Sequence, residues 1–340
     1  MSAADTSAPG DDWRPSASPE RLRQRAALLQ RAREFFAARG LTEVDTPVVV
    51  NVAVSDVHIH SATVRLCAAP AAGAAAPALY LHTSPEYAMK RLLAAGSGDI
   101  YQICHVVRGF EYGRLHNPEF TLIEWYRVGF SLADLMDEVE ALVRALLGTS
   151  APAASERISY RDAFLRELGL DPLSAAETVL AQAAQPLALG GAGATSAPAG
   201  GMSRDDWLEL LMGAIVGPRL GRGTFTFVHS YPASQAALAR LDPADPRVAQ
   251  RFELYSEGIE LANGFHELAS TSEQRARFEA DNAQRRRLGL PVSPLDERLL
   301  AALARLPDCA GVALGFDRTL MLAVGAASLE EVLPFPTARA

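Results

Sequence analysis

The side chains best suited to chemistry lie in residues 101–127, YQICHVVRGFEYGRLHNPEFTLIEWYR. Two runs of β-branched and aromatic residues flank a polar loop with two glycines, which predicts a β-hairpin. Because side chains alternate faces along a strand, Phe120, Glu124 and Tyr126 should share one side. Arg108 adds a positive charge at the mouth of the hairpin. This layout suits an anion that carries a flat base, although an ordinary amphipathic hairpin with solvated charges explains each residue taken alone.

A second candidate stretch is residues 254–268, LYSEGIELANGFHEL. Read as one strand, it places Glu260 on one face and Asn263 and Glu267 on the other, unless a bulge at Asn263 and its following glycine redirects the chain. Such a bulge would bring the carboxylates and the amide to one site. The alternative is a polar-edged strand without a special role.

A third stretch is residues 311–318, GVALGFDR. Its glycines permit a close approach of the backbone, and a helix is predicted to begin at Phe316 or Asp317. Arg318 in the first turn opposes the helix dipole, a local cost that a bound anion would reverse. The stretch therefore predicts a terminal phosphate site, with a salt bridge to Asp317 or another neighbour as the alternative.

A fourth stretch, residues 79–86, is predicted as a short strand that runs into a helix. Ser84 is the expected N-cap and Pro85 the first-turn residue of this helix. The helix dipole alone can explain a carboxylate at position 86, because a negative charge near its positive end contributes about 0.3–1 kcal/mol to helix stability. A binding role for Glu86 therefore depends on its neighbours in space.

The elements that must position these groups follow from periodicity and end signals. Pro47 interrupts one of the predicted strands and should place that strand at a sheet edge or a subunit contact, because proline cannot donate to a central ladder. The run Arg285–Arg287 is interpreted as a solvated helix face. Helices are predicted at 19–39, 87–95, 131–147, 203–216, 272–288 and 316–324, and strands at 41–50, 56–66, 100–107, 120–127, 224–229 and 254–268, with a short strand that begins at 79. Residues 151–223 are interpreted as a helical hairpin and a flexible connector without chemistry.

Bulk composition limits the class of protein. The chain has 340 residues and a net charge of −8, which argues against nucleic acid as the main partner. Cys67, Cys104 and Cys309 lack metal-site spacing and are interpreted as small buried residues in a reducing compartment. The acidic N-terminal residues carry no apolar leader, so we expect a soluble cytoplasmic protein with residues 1–17 as a flexible tail.

The motifs resemble those of a known family. Arg108, followed by His116-Asn117-Pro118-Glu119-Phe120-Thr121 and Glu124-Trp125-Tyr126, resembles motif 2 of class II aminoacyl-tRNA synthetases of the lysyl branch, and residues 311–318 resemble motif 3. The similarity is greatest to paralogues that modify elongation factor P instead of tRNA. The first helix and the strand with Pro47 resemble motif 1, which implies a homodimer interface.

The resemblance implies an α+β class II catalytic domain, a mostly antiparallel sheet flanked by helices, over residues 18–340. It places an insertion at about 151–223, between motifs 2 and 3, and leaves no room for an anticodon-binding domain ahead of motif 1. It also implies the cofactors ATP and Mg²⁺, no membrane association, and lysine or β-lysine and elongation factor P as substrates.

The resemblance implies a role for each residue that matches a family motif. Catalytic roles fall to Arg108, Arg318 and Glu260, with Glu260 also as the metal ligand. The amino-acid site is assigned to Ser84, Pro85, Glu86, Glu124, Tyr126, Asn263, Glu267 and Ala313. The ATP site is assigned to Arg108, Gly109, Phe110, Glu111, His116, Asn117, Phe120, Glu260, Leu261, Gly315 and Arg318. Three carboxylates would suit a diamine such as lysine, because a neutral guest would leave them unpaired.

Two departures from the family pattern affect these roles. The usual Arg-x-Glu of motif 2 reads Arg108-Gly109-Phe110-Glu111, which shifts the acid by one residue and puts its nucleotide contact in doubt. Ala313 replaces a glycine of the synthetases, which would move the backbone end of the substrate and favour (R)-β-lysine. A truncated lysyl-tRNA synthetase and a non-catalytic synthetase-like regulator remain as alternatives, although tRNA is not the expected partner.

Overall fold

Hydrophobic strands build the frame of the protein, in a computed structural model that describes residues 13–65, 78–189 and 201–340. The strands are β1 (Thr42–Glu43), β2 (Val49–Val50), β3 (Thr63–Val64), β4 (Leu79–Leu81), β5 (Ile100–Val107), β6 (Glu119–Val128), β7 (Ala154–Ser159), β8 (Thr224–Pro232), β9 (Val248–Ser256), β10 (Ile259–His266) and β11 (Cys309–Gly315).

Helices flank these strands. They are α1 (Pro19–Ala37), α2 (Glu86–Ala94), α3 (Leu132–Leu147), α4 (Tyr160–Leu168), α5 (Glu177–Leu189), α6 (Arg204–Leu211), α7 (Thr271–Arg287), α8 (Glu297–Leu303) and α9 (Phe316–Ala323). Serine caps are present at α1 and α3, where the hydroxyls of Ser18 and Ser131 accept backbone N–H groups of the first turn. The N-cap of α2, predicted at Ser84, is instead Pro85, although the Ser84 hydroxyl accepts the Glu86 N–H at 3.0 Å.

Eight of the described strands form one sheet in the order β1-β5-β6-β11-β10-β9-β8-β7, and β2, β4 and β3 form a small second sheet. The five central pairings, from β5/β6 to β9/β8, are antiparallel, and the two outer ones, β1/β5 and β7/β8, are parallel. The predicted α+β class with a mostly antiparallel sheet is confirmed. None of the helices in the described ranges is both long and apolar enough to cross a bilayer.

One face of the sheet is closed by the main core, beneath α1, α3 and α9. Phe36 of α1 stacks on Tyr101 at a centroid distance of 4.3 Å and lies 5.3 Å from Trp125. Phe36 and Trp125 are fully buried. Since side chains alternate along β6, a core position at Trp125 sends Glu124 and Tyr126 to the opposite face.

A second core forms where α4 and α6 pack on β8. It includes Tyr160, Phe164, Leu208 and Tyr231, all buried. These helices belong to residues 151–223, which were predicted as an insertion with a helical hairpin and a flexible connector. The strand β7 in this region was not predicted, and most of the connector, residues 190–200, lies outside the described residues.

Several predicted elements differ in the structure. The strand predicted at 254–268 is two antiparallel strands, the end of β9 and β10, joined by a turn at Glu257 and Gly258. The strand predicted at 41–50 is split into β1, at a sheet edge, and β2, with Pro47 between them. Of the strand predicted at 56–66, only β3 forms. Arg285 explains this, because its buried guanidinium donates to the carbonyl oxygens of Asp56 and Ile59, which a strand would have used in a ladder. The interpretation of Arg285 as a solvated charge is therefore wrong.

The packing of Phe36 gives a stability prediction. We expect Phe36→Ala to lower the free energy of unfolding by about 3–5 kcal/mol, because it leaves a cavity between Tyr101 and Trp125. Urea unfolding followed by tryptophan fluorescence measures this. Leu165→Ala on the exposed side of α4 is the control and should change the value by less than about 1 kcal/mol. Equal effects of both variants would contradict the assigned core.

Candidate active site

A cavity of about 370 Å³ opens on the face of the sheet opposite the main core. Strands β6, β10 and β11 form its floor, and the loops before α2 and within the β5–β6 hairpin form its walls. Sixteen of the residues predicted for the site line this cavity: Ser84, Glu86, Arg108, Glu111, His116, Asn117, Phe120, Glu124, Tyr126, Glu260, Leu261, Asn263, Glu267, Ala313, Gly315 and Arg318.

A β-bulge in β10 brings Glu260 to the same cavity as Asn263 and Glu267. The pairing of β10 with β9 shifts register between Glu260 and Ala262, so one extra residue lies on β10. The sequence placed this bulge at Asn263 and the following glycine, which is wrong by two residues. The bulge nevertheless has the expected effect. The inserted residue moves the side chains that precede it to the other face of the strand, so Glu260 faces the same cavity as Asn263 and Glu267.

Three predicted residues lie outside this cavity. Pro85 lines a neighbouring cavity beside α2. Gly109 donates its N–H to the carbonyl of His60, and Phe110 is 82% exposed, with its ring edge against His60. Phe110 has a φ of 66°, and this turn returns Glu111 to the cavity despite its shifted position in the sequence. A left-handed residue in the loop thus compensates for the displaced acid.

A group of buried polar side chains occupies one end of the cavity. Glu124, 2% exposed, accepts hydrogen bonds from Ser84 at 2.7 Å and from Tyr126 at 2.8 Å. Burial, followed by repulsion from Glu86, raises the pKa of Glu124 to about 7, although the bonds from Ser84 and Tyr126 lower it. Both hydroxyls are donors, so the arrangement fixes the carboxylate in place.

Lys90 joins two further carboxylates in this group. Its Nζ lies 2.7 Å from Glu86 Oε1 and 2.6 Å from Glu267 Oε2, and its side chain is 1% exposed. Burial raises the pKa of Glu267 to about 8, Lys90 lowers it, and Glu86 raises it further. Burial acts to lower the pKa of Lys90, but the two carboxylates outweigh it and raise this pKa above its usual value.

One carboxylate oxygen of Glu267 can still accept a hydrogen bond. Its Oε1 is buried and has no hydrogen-bond partner among the described residues. Leaving a buried carboxylate oxygen without a donor costs about 1–3 kcal/mol or more. This oxygen therefore needs a hydrogen-bond donor that enters the cavity, and a cationic donor suits it best.

Gly311 makes this arrangement possible. An added Cβ at this position would lie 2.2 Å from the Tyr126 ring and 2.6 Å from Glu267 Oε1. Gly311 pairs with Tyr126 on β6 and with Phe265 on β10, so its backbone cannot withdraw. The glycine is required because the phenol and the carboxylate pass directly over the strand.

The opposite end of the cavity is cationic. Arg318 donates to the carbonyl oxygens of Leu115 and Glu260 and to His116 Nε2 at 2.8 Å. Burial, then Arg318 and Arg108, lower the pKa of His116 to about 4, so this imidazole is neutral and can accept the bond. The guanidinium at the start of α9 is thereby held toward the cavity, as predicted for a phosphate site.

Arg108 lies between the two ends. Its Nε donates to the carbonyl of Thr83 at 3.2 Å, and its guanidinium lies 5.1 Å from the centre of the Phe120 ring. The loop after β4 and the hairpin thus both hold this arginine. The Phe120 ring and the guanidinium provide flat surfaces that can stack with a planar ring.

A buried ion pair supports the cationic end from beneath. Asp317, 2% exposed, accepts from Arg25 of α1 at 2.5 Å and from the Thr121 N–H at 2.7 Å. The alternative that Arg318 pairs with Asp317 is not observed, because Asp317 is turned toward α1. The nearest carboxylate oxygen to Arg318 is on Glu260, at 3.8 Å.

Glu260 is the candidate ligand for magnesium. Desolvation by the surrounding protein and repulsion from Glu253 raise its pKa above its usual value, and Arg318 lowers it. Its side chain is 40% exposed, because it faces the open cavity. The described residues contain no cluster of three metal-binding side chains. One carboxylate that shares the ion with substrate phosphates is a normal arrangement for Mg²⁺, so the residues present fit this ion.

Sequence reasoning missed three residues that contribute to the site. Lys90 follows Glu86 by four residues, so helical spacing could have placed both on one face. Arg251 lines the cavity and donates to Asn263 Oδ1 at 3.3 Å and to Glu253 at 2.6 Å, contacts that depend on the strand register. Glu209 of α6 also lines the cavity, although residues 151–223 were interpreted as lacking chemistry.

Two comparisons relate the chain to known proteins. Residues 11–339 match the family model of class II tRNA synthetases (D, K and N). An elongation factor P–(R)-β-lysine ligase from Vibrio cholerae is 49% identical over 330 residues, covering 97% of this chain and 99% of that protein. Proteins of the same name from Hamiltonella defensa and Yersinia enterocolitica are also 49% identical, covering 97% and 96% of this chain and 98% of each protein.

The contact at Gly311 gives a prediction for the site. We expect Gly311→Ala to lower the free energy of unfolding by about 1–3 kcal/mol, because the methyl group must displace the Tyr126 ring. Urea unfolding measures this change. Gly315→Ala on the same strand is the control, since its Cβ would meet nothing closer than 3.6 Å. A Gly311→Ala protein as stable as the control would contradict the close packing at the cavity floor.

Proposed function

The chain belongs to the class II tRNA synthetase family, and from that premise we propose that it is an ATP-dependent, AMP-forming ligase that attaches lysine or (R)-β-lysine to elongation factor P. The similarity of nearly the whole chain to proteins named as elongation factor P–(R)-β-lysine ligases supports this proposal. The observation that carries it is a cavity with a buried acidic end and a cationic end.

The acidic end supports a substrate with two ammonium groups. Glu86, Glu124 and Glu267 face the cavity, and Lys90 neutralises one of these charges. Two negative charges remain when all three carboxylates are ionised. Lysine and β-lysine each bring two ammonium groups, which balance these two charges, and the substrate's own carboxylate is assigned to Arg108. A neutral side chain would leave a carboxylate unpaired in a buried site.

The cationic end supports ATP. Arg108 and Arg318 are the donors for phosphate oxygens, and Phe120 is the stacking surface for adenine. Magnesium held by Glu260 would neutralise charge on the triphosphate when bound. Because Arg108 lies between the two ends, it is the residue placed to touch both the α-phosphate and the carboxylate of the amino acid.

The reaction we propose has two steps. The carboxylate of the amino acid attacks the α-phosphorus of ATP, the bond from phosphorus to the bridging oxygen breaks, and pyrophosphate leaves. The ε-amine of an acceptor lysine then attacks the acyl carbon of the adenylate, an amide forms, and AMP leaves with a proton lost from the amine. Arg108 and Arg318 act by positioning and by stabilising charge on the phosphoryl oxygens.

Ala313 supports the β-amino acid as substrate. This residue lines the cavity and pairs with Glu124 on β6 and with Asn263 on β10. Its methyl group therefore lies between a carboxylate and an amide that we assign to the substrate. An added methyl at this floor would favour a substrate whose amino group is attached one carbon further from the carboxylate.

The assembly and the location of the protein are part of the same proposal. We propose a homodimer that uses α1 and the segment around Pro47, where Val48 and Val49 are 43% and 37% exposed. Apolar side chains exposed side by side support a subunit contact. A modifier of a translation factor that uses ATP would work in the cytoplasm.

Product masses test the function directly. The protein is incubated with ATP, lysine or (R)-β-lysine, and either elongation factor P or tRNA. We expect elongation factor P to gain the mass of one lysyl group and tRNA to stay unchanged. Charged tRNA with unmodified factor would support a truncated synthetase instead, and binding of lysine without any pyrophosphate release would support a non-catalytic regulator.

The assigned role of Arg108 gives a mutational prediction. We expect Arg108→Ala to slow adenylate formation at least ~100-fold, because it removes a charged donor to the α-phosphate. Pyrophosphate exchange measures the rate, and circular dichroism confirms the fold. Arg114→Ala is the matched control, since Arg114 lies in the same loop and donates to the Ala327 carbonyl on the protein surface. Normal exchange in the Arg108 variant would refute the phosphate assignment.

A further inference from the structure

Lys90 is an unusual residue to find beneath a binding cavity. Its ammonium group is 1% exposed and contacts two carboxylates from distant parts of the chain, Glu86 at 2.7 Å and Glu267 at 2.6 Å. A buried lysine is costly unless its charge is matched. Apolar packing alone would be satisfied by a methionine here, so the charge itself requires an explanation.

The charges around the cavity end can be counted. Glu86 lies on α2, Glu124 on β6, and Glu267 just beyond β10, and all three line the cavity. Without Lys90, the ionised group would carry three negative charges. With Lys90 it carries two, which equals the number of ammonium groups on a lysine guest.

We propose that Lys90 is a specificity-determining residue: its ammonium group cancels one of the three carboxylates, so that the two ammonium groups of a guest balance the other two and every carboxylate is ionised. The guest's own carboxylate lies outside this balance, because we assign it to Arg108. This inference rests on the proposed function. Lys90 acts through Glu86 and Glu267 and is not assigned a contact with the guest.

The other titratable groups around Glu267 do not alter the net charge of Lys90 and the three carboxylates. Tyr126 on β6 and Cys309 on β11 both face it, and burial, followed by nearby carboxylates, raises the pKa of each above its usual value. Both side chains are therefore neutral near pH 7. The charge of the group is set by Lys90 and the three carboxylates.

The empty cavity reduces its charge by binding protons. Glu267 has a pKa of about 8 and Glu124 of about 7, both raised mainly by burial. A guest with two ammonium groups should ionise both carboxylates, so the wild-type protein should release roughly one to two protons per guest bound at pH 7. Affinity for this guest should accordingly rise as pH increases through this range.

Removing Lys90 should change the number of protons released when the guest binds. In Lys90→Met, two ionised carboxylates already balance the guest, so the third carboxylate keeps its proton in the complex. Lys90 lowers the pKa of both Glu267 and Glu124, so the free variant also starts with more protons bound on these carboxylates. We therefore expect the variant to release fewer protons than the wild type, by a fraction of a proton. A purely structural role for Lys90 would weaken binding without changing the number of protons released.

Calorimetry with β-lysine, in buffers of different ionisation enthalpy at pH 7, measures proton release for the wild type and for Lys90→Met. Arg91→Met is the control, because Arg91 lies on the same helix, does not line this cavity, and should leave the count unchanged. Lys90→Gln, which keeps donors toward both carboxylates, is a second variant that should fold if Lys90→Met does not, and we expect the same reduced count.

The outcomes separate the two proposals. A wild type that binds β-lysine, with an undiminished proton count in the Lys90 variants, would overturn the role of Lys90 and leave the proposed function intact. A wild type that binds neither β-lysine nor lysine would overturn both. A reduced count in the Lys90 variants and an unchanged count in Arg91→Met is the result we expect.

Discussion

The electrostatic balance of a buried acidic group is the constraint on which the site depends. Three carboxylates lie beneath the cavity, and one lysine, two hydroxyls and an unfilled bonding position on Glu267 stabilise them. Such a group is tolerated in a protein interior only when charges and donors nearly match. The need for a matching cation explains the buried Lys90 and supports a diamine as the guest.

The sheet provides the precision that this balance requires. Strand β11 is paired on both sides, with β6 and β10, and these three strands carry Glu124, Tyr126, Asn263 and Ala313 at fixed registers. Groups on a paired strand have little freedom to move apart. The cationic end depends on the start of α9, where Asp317 is held by Arg25, and Arg318 is held toward the cavity by its bonds to the carbonyl of Glu260 and to His116.

Sequence patterns predicted the parts of this site that depend on local rules. Alternation along β6 placed Glu124 and Tyr126 on one face correctly, and the helix predicted to begin at Phe316 or Asp317 begins at Phe316. The strand β11 ahead of it was not predicted. Motif spacing identified the family, which the comparisons confirmed. Each of these features is encoded within a few consecutive residues.

Features set by distant contacts could not be predicted in the same way. The loop around Asp56 looked like a strand, and only Arg285, more than two hundred residues later, binds its carbonyl oxygens and keeps it irregular. The bulge in β10 was misplaced because its position depends on the register with β9. Lys90 was overlooked because a lysine on an amphipathic helix is normally solvated, and its burial follows from Glu267 on another element.

The most direct measurement is amino-acid-dependent exchange of radiolabelled pyrophosphate into ATP. It compares lysine and (R)-β-lysine with norleucine, which has the same carbon chain as lysine but lacks the terminal ammonium group. Exchange with at least one lysine isomer, and at least ~100-fold less with norleucine, is expected from a site that requires two ammonium groups. Equal exchange with norleucine, or no exchange with either lysine isomer, would contradict the assignment of the buried carboxylates to a diamine substrate.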